Sequence, residues 1–338
     1  MDKLIDRFDR KIDGLTPLTI NPEHGRMIDY LRLSVTDRCN LRCIYCMPKV
    51  GIETLAHQDI LTFEELISLT KIFVKLGIKK VRLTGGEPLV RKGIAGLIKS
   101  LNEIKGVEEI LLTTNGILLS QYARHLKDAG LERINISLDT LEKEKFKIIT
   151  GQDLLPHVLG GIKEAKSLGF YPLKLNVVVM KGINDDEIID FVEFANSSGL
   201  ILRFIEFMDV TPLWREERFI PIEEVREICE RKFKLYRLEE DLGSGPAQYY
   251  KIREGGFLGF IKTDKENCLC CSRIRLTSTG ELKICLYQED GLSLRELLRS
   301  GVGEDEIARI IKERLGIKKE VDYSSWEAAK FYMYSLGG

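Results

Sequence analysis

Six short β-branched runs, each followed by a polar loop and most by a helical pattern, restrict this chain to one broad architecture. The runs are Tyr30–Val35, Lys79–Thr84, Glu109–Thr114, Arg133–Leu138, Leu173–Val179 and Leu200–Phe207. Helical periodicity fills Thr62–Leu76, Gly93–Lys105, Gln121–Ala129, Pro156–Leu168 and Asp185–Ser198. Gly77, Gly130, Gly169 and Gly199 stand just past four of these helices, at the position that favours a left-handed residue. Strand-then-helix units in series imply a parallel sheet joined by right-handed crossovers. A length of 338 residues allows a barrel-sized core plus a smaller unit. After about Leu235 the strands shorten, and a hairpin is expected across Ser278-Thr279-Gly280. A boundary is expected at Gly243-Ser244-Gly245-Pro246, dividing residues 1–243 from 244–338.

Polar motifs sit where the strands end: Thr84-Gly85-Gly86-Glu87-Pro88, Thr113-Thr114-Asn115-Gly116, Ser137-Leu138-Asp139 and Met208-Asp209. Any one of them would pass as a good turn. Together on one rim they mark a working face, because βα barrels carry their chemistry at the C-terminal ends of the strands. Strand parity adds a second signal. Leu31, Leu33 and Val35 alternate with Arg32 and Ser34; Val81 and Leu83 with Lys80, Arg82 and Thr84; Leu173, Leu175 and Val177 with Lys174 and Asn176. If the apolar sets pack under the helices, Arg32, Arg82 and Lys174 point inward. Arg203 lies on a run that is apolar on both faces, so parity leaves its direction open. Glu109 is the clearest acid of matching parity. Cations inside a barrel are costly unless paired, and a polyanion such as a triphosphate is the economical partner.

Cys39, Cys43 and Cys46 follow the first strand as C-x3-C-x2-C. Three thiolates are too few to close an all-cysteine tetrahedral zinc site or to saturate a four-iron cluster. A cluster held this way keeps one iron open for a ligand. Cys268, Cys271 and Cys285 repeat the arithmetic near the other end. Structural zinc with a distant histidine is the rival, and His57 is close enough in sequence to serve. His24, His125 and His157 are the other histidines, the last two expected at the surface.

Formal net charge is -1, which supplies no global basic field for nucleic acid or anionic membrane. No apolar run is long enough to span a bilayer. The first residues, MDKLIDRFDRKID, have no apolar core and mix acids with bases, so a cytoplasmic protein is expected. In a reducing compartment the clustering of cysteines favours metal over disulfides.

C-x3-C-x2-C is the signature of radical S-adenosylmethionine enzymes. Asp37-Arg38-Cys39-Asn40-Leu41-Arg42-Cys43 and Tyr45-Cys46-Met47-Pro48 resemble, within that superfamily, the GTP 3′,8-cyclase family of molybdenum-cofactor biosynthesis. The resemblance continues through Leu83-Thr84-Gly85-Gly86-Glu87-Pro88, Asn135–Thr140 and Asn176–Val179. It reaches the second triplet, Arg273-x-Arg275-Leu276-Thr277 and the Gly337-Gly338 end, and so covers nearly the whole chain.

The resemblance implies an α/β fold, an incomplete (βα)6 TIM-like barrel with a C-terminal α+β extension that carries a second iron–sulfur cluster. Cys39, Cys43 and Cys46 would hold one 4Fe–4S cluster whose open iron chelates S-adenosylmethionine, with Tyr45, Gly86, Ser137 and Met208 as cofactor contacts. Arg32, Arg82, Thr113, Lys174 and Arg203 match GTP-binding positions. Cys268, Cys271 and Cys285 would hold the second 4Fe–4S cluster, which binds the guanine base. Arg273 and Arg275 would face the substrate, and the Gly337-Gly338 tail would reach the active site as part of the catalytic set. The implied reaction is removal of the ribose 3′ hydrogen of GTP by a 5′-deoxyadenosyl radical, then attack of the carbon radical on guanine C8. The implied partners are an electron donor such as flavodoxin or ferredoxin, the downstream cyclic pyranopterin monophosphate synthase, and a second copy of the chain in a homodimer.

The chain departs from the family pattern at Ser272, where asparagine is common, and in the loop after Met208, Asp209–Trp214, which lacks a glycine after Val210. Spacing favours Cys271 over Cys270 as ligand, leaving Cys270 and Cys229 as spare thiols. Two other readings are a peptide-modifying radical maturase with an auxiliary cluster, and a zinc-binding, nucleotide-binding protein without catalysis.

Overall fold

All six β-branched runs form strands: β1 Tyr30–Ser34, β2 Lys80–Thr84, β3 Glu109–Thr114, β4 Arg133–Ser137, β5 Leu173–Val179 and β6 Ile201–Glu206. They pair in sequence order, each parallel to the next, as the strand-then-helix pattern requires. The computed structural model describes residues 19–20, 26–48, 55–239, 242, 245–262, 271–286, 291–316 and 332–336. Helices α1 Phe63–Lys75, α2 Ile94–Asn102, α3 Leu119–Asp128, α4 Lys143–Thr150, α5 Leu155–Ser167 and α6 Ile188–Ser198 connect the strands. Of these, α4 is an addition to the sequence reading. Its two turns carry too few apolar positions to register a helical period, although Phe146 and Ile149 are buried.

The parity expectation holds. Leu31, Leu33, Val81, Leu83, Leu173, Leu175 and Val177 are buried in one core beneath the helices. Each helix presents a matching stripe, as with Leu66, Leu69, Ile72 and Phe73 on α1. Cys229, on α7 Ile222–Lys232, belongs to this core and is fully buried.

Beyond α7 lie the short strands β7 Leu235–Arg237, β8 Gln248–Ile252, β9 Phe257–Ile261, β10 Arg273–Leu276, β11 Glu281–Lys283 and β12 Leu292–Ser293, then α8 Leu294–Arg299 and α9 Glu304–Gly316. The hairpin expected at Ser278-Thr279-Gly280 joins β10 to β11. Two of these strands take a place the sequence did not announce. β9 pairs parallel with β6, and β10 pairs parallel with β1. The C-terminal region thus covers both open edges of the six-stranded sheet, whose backbone groups would otherwise lack partners. Among the described residues the result is a 12-stranded sheet. None of the described helices is long and apolar enough to cross a membrane.

Two segments far apart in the chain are tied together at the start of α1. Thr62 caps α1 by accepting from the Glu65 N–H at 3.2 Å, and Glu65 returns a bond to the Thr62 N–H at 2.8 Å. Glu65 also holds Arg299 of α8 through two bonds of 2.6 and 2.9 Å. Thr62→Ala is expected to lower stability by about 1 kcal/mol, the ordinary cost of losing an N-cap. Urea unfolding of the cluster-free protein measures it, and an unchanged midpoint would count against the cap.

Candidate functional site

The cysteine loop follows β1 and is laced to its neighbours by main chain. The Val35 N–H donates to the Thr84 carbonyl at 2.9 Å, Gly86 to Thr36 at 2.8 Å, and Glu87 to Arg38 at 2.8 Å. This last bond lies one residue before Cys39. The approach is so close that a Cβ on Gly86 would stand 2.3 Å from the Arg38 carbonyl oxygen. Glu87 then turns into the protein and accepts from the Leu89 N–H at 3.0 Å, the Thr114 hydroxyl at 2.7 Å and the Asn115 N–H at 2.6 Å. Burial pushes its carboxyl up to about 7, and these donors work against that rise. Asn115 in turn donates to the Asn40 side chain at 2.7 Å and faces Cys39 Sγ at 3.9 Å. Further round the rim, the Tyr45 hydroxyl donates to Asp139 at 2.5 Å, and Asp139 accepts from the Val178 N–H at 2.8 Å. The glycine-free loop after Met208 docks here too: Thr211 donates to the Tyr45 carbonyl at 3.4 Å.

These loops ring a cavity of about 370 Å³. Cys39, Cys43 and Cys46 all line it, and none is in a disulfide. Burial pushes the Cys39 thiol up to about 11 and the Cys46 thiol up to about 12; Cys43 is raised as well. Bare thiols here stay protonated, and iron would convert them to thiolates. The Leu41 N–H donates to Cys39 Sγ at 3.4 Å, the kind of sulfur contact that accompanies cluster ligation. The donor set therefore fits a cluster held by three thiolates, which would leave one iron without a protein ligand. His57, the rival zinc ligand, lies on the exposed turn His57–Asp59 and does not line the cavity.

Below the cysteines the concave face of the sheet is basic. Arg275, Arg32 and Arg82 lie at one register on the adjacent parallel strands β10, β1 and β2. Burial lowers the pKa of Arg32 well below its ordinary value, with Arg275, Arg82 and Arg273 adding to the effect; Arg275 is lowered in the same way, by burial and then by Arg273. Arg82 donates to the Tyr30 hydroxyl and, at 3.1 Å, to Thr113. On the far side Lys174 donates to the Leu242 carbonyl at 2.6 Å and to the Tyr249 hydroxyl at 2.9 Å. Its amine is pushed down to about 6, first by burial and then by Arg203, Arg133 and Arg82. Arg203, whose direction parity left open, faces the cavity and donates to Asn176 at 2.9 Å. The Asn135 amide oxygen, oriented to satisfy its neighbours, accepts from both Arg82 at 2.6 Å and Arg203 at 2.5 Å. Glu109 pairs with Arg133 rather than with the expected cations.

Tyr45, Gly86, Ser137, Met208, Thr113, Arg273, Arg275, Cys271 and Cys285 also line this cavity. Arg273 donates to Cys271 Sγ at 3.4 Å. Cys268, Cys270, Gly337 and Gly338 lie outside the described residues. Met333 and Tyr334, just before that tail, line the cavity beside Cys46. Sequence reasoning missed Tyr30, Asn135 and Tyr249. Tyr30 and Asn135 share the inward parity of Arg32 and Ser137, and that signal could have found them. Tyr249 lies on β8 and nothing local ties it to Lys174.

Residues 33–195 match the Radical SAM superfamily, and residues 200–323 match Molybdenum Cofactor Synthesis C. The GTP 3′,8-cyclase of Peptoclostridium acidaminophilum is 47% identical over 93% of this chain and 97% of its own length. That of Thermodesulfovibrio yellowstonii is 46% identical over 88% of this chain and 93% of its own length. Streptococcus suis SuiB has a similar fold, with a TM-score of 0.59 over 86% of this chain and 69% of its own, at 15% identity. The structure of anSMEcpe with bound AdoMet and Kp18Cys peptide gives a TM-score of 0.54 over 91% and 87%, also at 15% identity. Those two likenesses concern the fold alone.

Gly86→Ala is expected to displace the Arg38 carbonyl and with it Cys39. Iron bound per chain after anaerobic reconstitution should fall by half or more. Full iron loading in the variant would show that the loop accommodates the Cβ.

Proposed function

This chain belongs to the family of radical S-adenosylmethionine enzymes that contains the GTP 3′,8-cyclases, and from that premise we propose that it cyclises GTP to 3′,8-cyclo-7,8-dihydro-GTP. The observation that carries the reading is one cavity with three thiols at its rim and a row of cations on its wall. Cys39, Cys43 and Cys46 hold a 4Fe–4S cluster, and Tyr45, Gly86, Ser137 and Met208 contact S-adenosylmethionine beside it. When bound and reduced, that pair supplies the 5′-deoxyadenosyl radical that takes the ribose 3′ hydrogen.

The protein's part is to orient the nucleotide and exclude water. Arg32, Arg82, Lys174 and Arg203, with Thr113, hold the triphosphate. Cys268, Cys271 and Cys285, in the region 244–338, would hold a second cluster that supplies a site for the guanine base, with Arg273 and Arg275 facing the substrate. The Gly337-Gly338 tail completes the site. The reading brings with it a low-potential donor such as flavodoxin or ferredoxin, a homodimer, and cyclic pyranopterin monophosphate synthase as the next enzyme. A peptide substrate would leave the row of cations without a purpose, which weighs against the maturase alternative.

The test is anaerobic. Protein reconstituted with iron and sulfide is given S-adenosylmethionine and a strong reductant, and 5′-deoxyadenosine is measured with and without GTP. GTP-dependent formation together with a cyclised nucleotide is expected; cleavage indifferent to GTP would move the substrate elsewhere.

Proton uptake offers a second test. Lys174 faces Arg203, Arg133, Arg82, Glu109 and the Tyr249 hydroxyl, and in the empty site its amine is mostly neutral above about pH 6. A triphosphate favours the charged form and raises that pKa, so above about pH 6 binding takes up a proton and strengthens as pH falls. Calorimetry in buffers of different ionisation enthalpy, at about pH 8 where the nucleotide is fully ionised, should show uptake that Lys174→Met abolishes. Proton release, or uptake unchanged in the variant, would contradict it.

A further inference from the structure

Lys174 and Arg203 are aimed by a residue from outside the six-stranded core. Tyr249 lies on β8, two strands beyond β6, and is 2% exposed. Its hydroxyl accepts from Lys174 Nζ at 2.9 Å, and that nitrogen sits 4.9 Å from the centre of its ring. The same side chain faces the Arg203 guanidinium. The reach is set by register. Tyr249 pairs with Gly259 on β9, and Gly259 pairs with Arg203 on β6. A Cβ on Gly259 would stand 2.9 Å from the Tyr249 ring and 2.9 Å from Arg203 Cγ. The empty position on β9 lets the tyrosine lie across one strand and meet both cations.

We propose that Tyr249 is a positioning residue for the polyphosphate end of the substrate, fixing the Lys174 amine and the Arg203 guanidinium through its hydroxyl while Gly259 leaves room for its ring. The proposal rests on the reading that these two cations hold the triphosphate of GTP. The hydroxyl is a neutral acceptor, so it orients the cations without cancelling their charge. Each cation has a further neutral acceptor: the Leu242 carbonyl for Lys174 and the Asn176 side chain for Arg203. A long, flexible lysine held at two points loses little further freedom when the anion arrives.

The test compares nucleotides that differ only in phosphate. Wild type, Tyr249→Phe, Gly259→Ala and Lys174→Ala are reconstituted anaerobically, and dissociation constants for GTP, GMP and S-adenosylmethionine are measured at equilibrium. For Tyr249→Phe, the GTP constant should rise about tenfold, as expected for losing one hydrogen bond to a charged group. The GMP and S-adenosylmethionine constants should stay within about twofold. Gly259→Ala, which pushes the ring away without removing the hydroxyl, should weaken GTP in the same selective way. Equal losses for GTP and GMP, or a GTP constant unchanged in Tyr249→Phe while Lys174→Ala weakens it, would overturn the role of Tyr249 and leave the triphosphate reading standing. GTP binding unchanged in Lys174→Ala would overturn both.

Discussion

Like charge held at close range inside the sheet is the constraint that the rest of this site obeys. Arg275, Arg32 and Arg82 occupy one register on neighbouring strands, and strands are spaced about 5 Å apart. After burial, the charges of Arg275 and Arg82 lower the pKa of Arg32, so the neighbours oppose its charged form. The groups that brace the inner cations are chiefly neutral oxygens: Tyr30 and Thr113 on Arg82, Asn135 between Arg82 and Arg203, Asn176 on Arg203, and Tyr249 on Lys174. The nearby acid Glu109 is engaged by Arg133. Such bracing keeps the positive potential focused in the cavity for a polyanion to use.

The strands fix the floor of the site; the loops at their C-terminal ends fix the rim. Four strand ends hydrogen-bond the cysteine loop, through Gly86 and Glu87 after β2, Asn115 after β3, Asp139 after β4 and Thr211 after β6, and the Val178 N–H of β5 holds Asp139 in place. A loop held at so many points keeps its thiols in place before any cluster binds, which is what ligand preorganisation requires. The distance between chemistry at the rim and charge on the wall is then set by the strands, the most rigid part of the fold.

The C-terminal region has two duties that the physics links. It covers both edges of the six-stranded sheet, where unpaired backbone groups would invite the wrong partners. In doing so it delivers Arg273 and Arg275 on β10 to one side of the cavity and Tyr249, across Gly259 of β9, to the other. Neither duty needs a sequence pattern of its own. Parallel pairing at an edge is specified by the face that packs, and β9 and β10 are only a few residues long.

What the sequence determined by itself was whatever depends on short-range periodicity. Alternation with period two placed Arg32, Arg82 and Lys174 inside and Leu31, Leu83 and Leu175 outside, because successive side chains on a strand must point opposite ways. The C-x3-C-x2-C spacing placed three thiols on one loop for a similarly local reason. The tertiary structure decided what depends on strands far apart in the chain. It turned Arg203 inward, gave Glu109 to Arg133, put Asn135 between two arginines, and set Tyr249 on Lys174 across 75 residues of chain. Those contacts follow from strand order and register, and no local pattern encodes either one, since each is settled only when the whole sheet closes around its core.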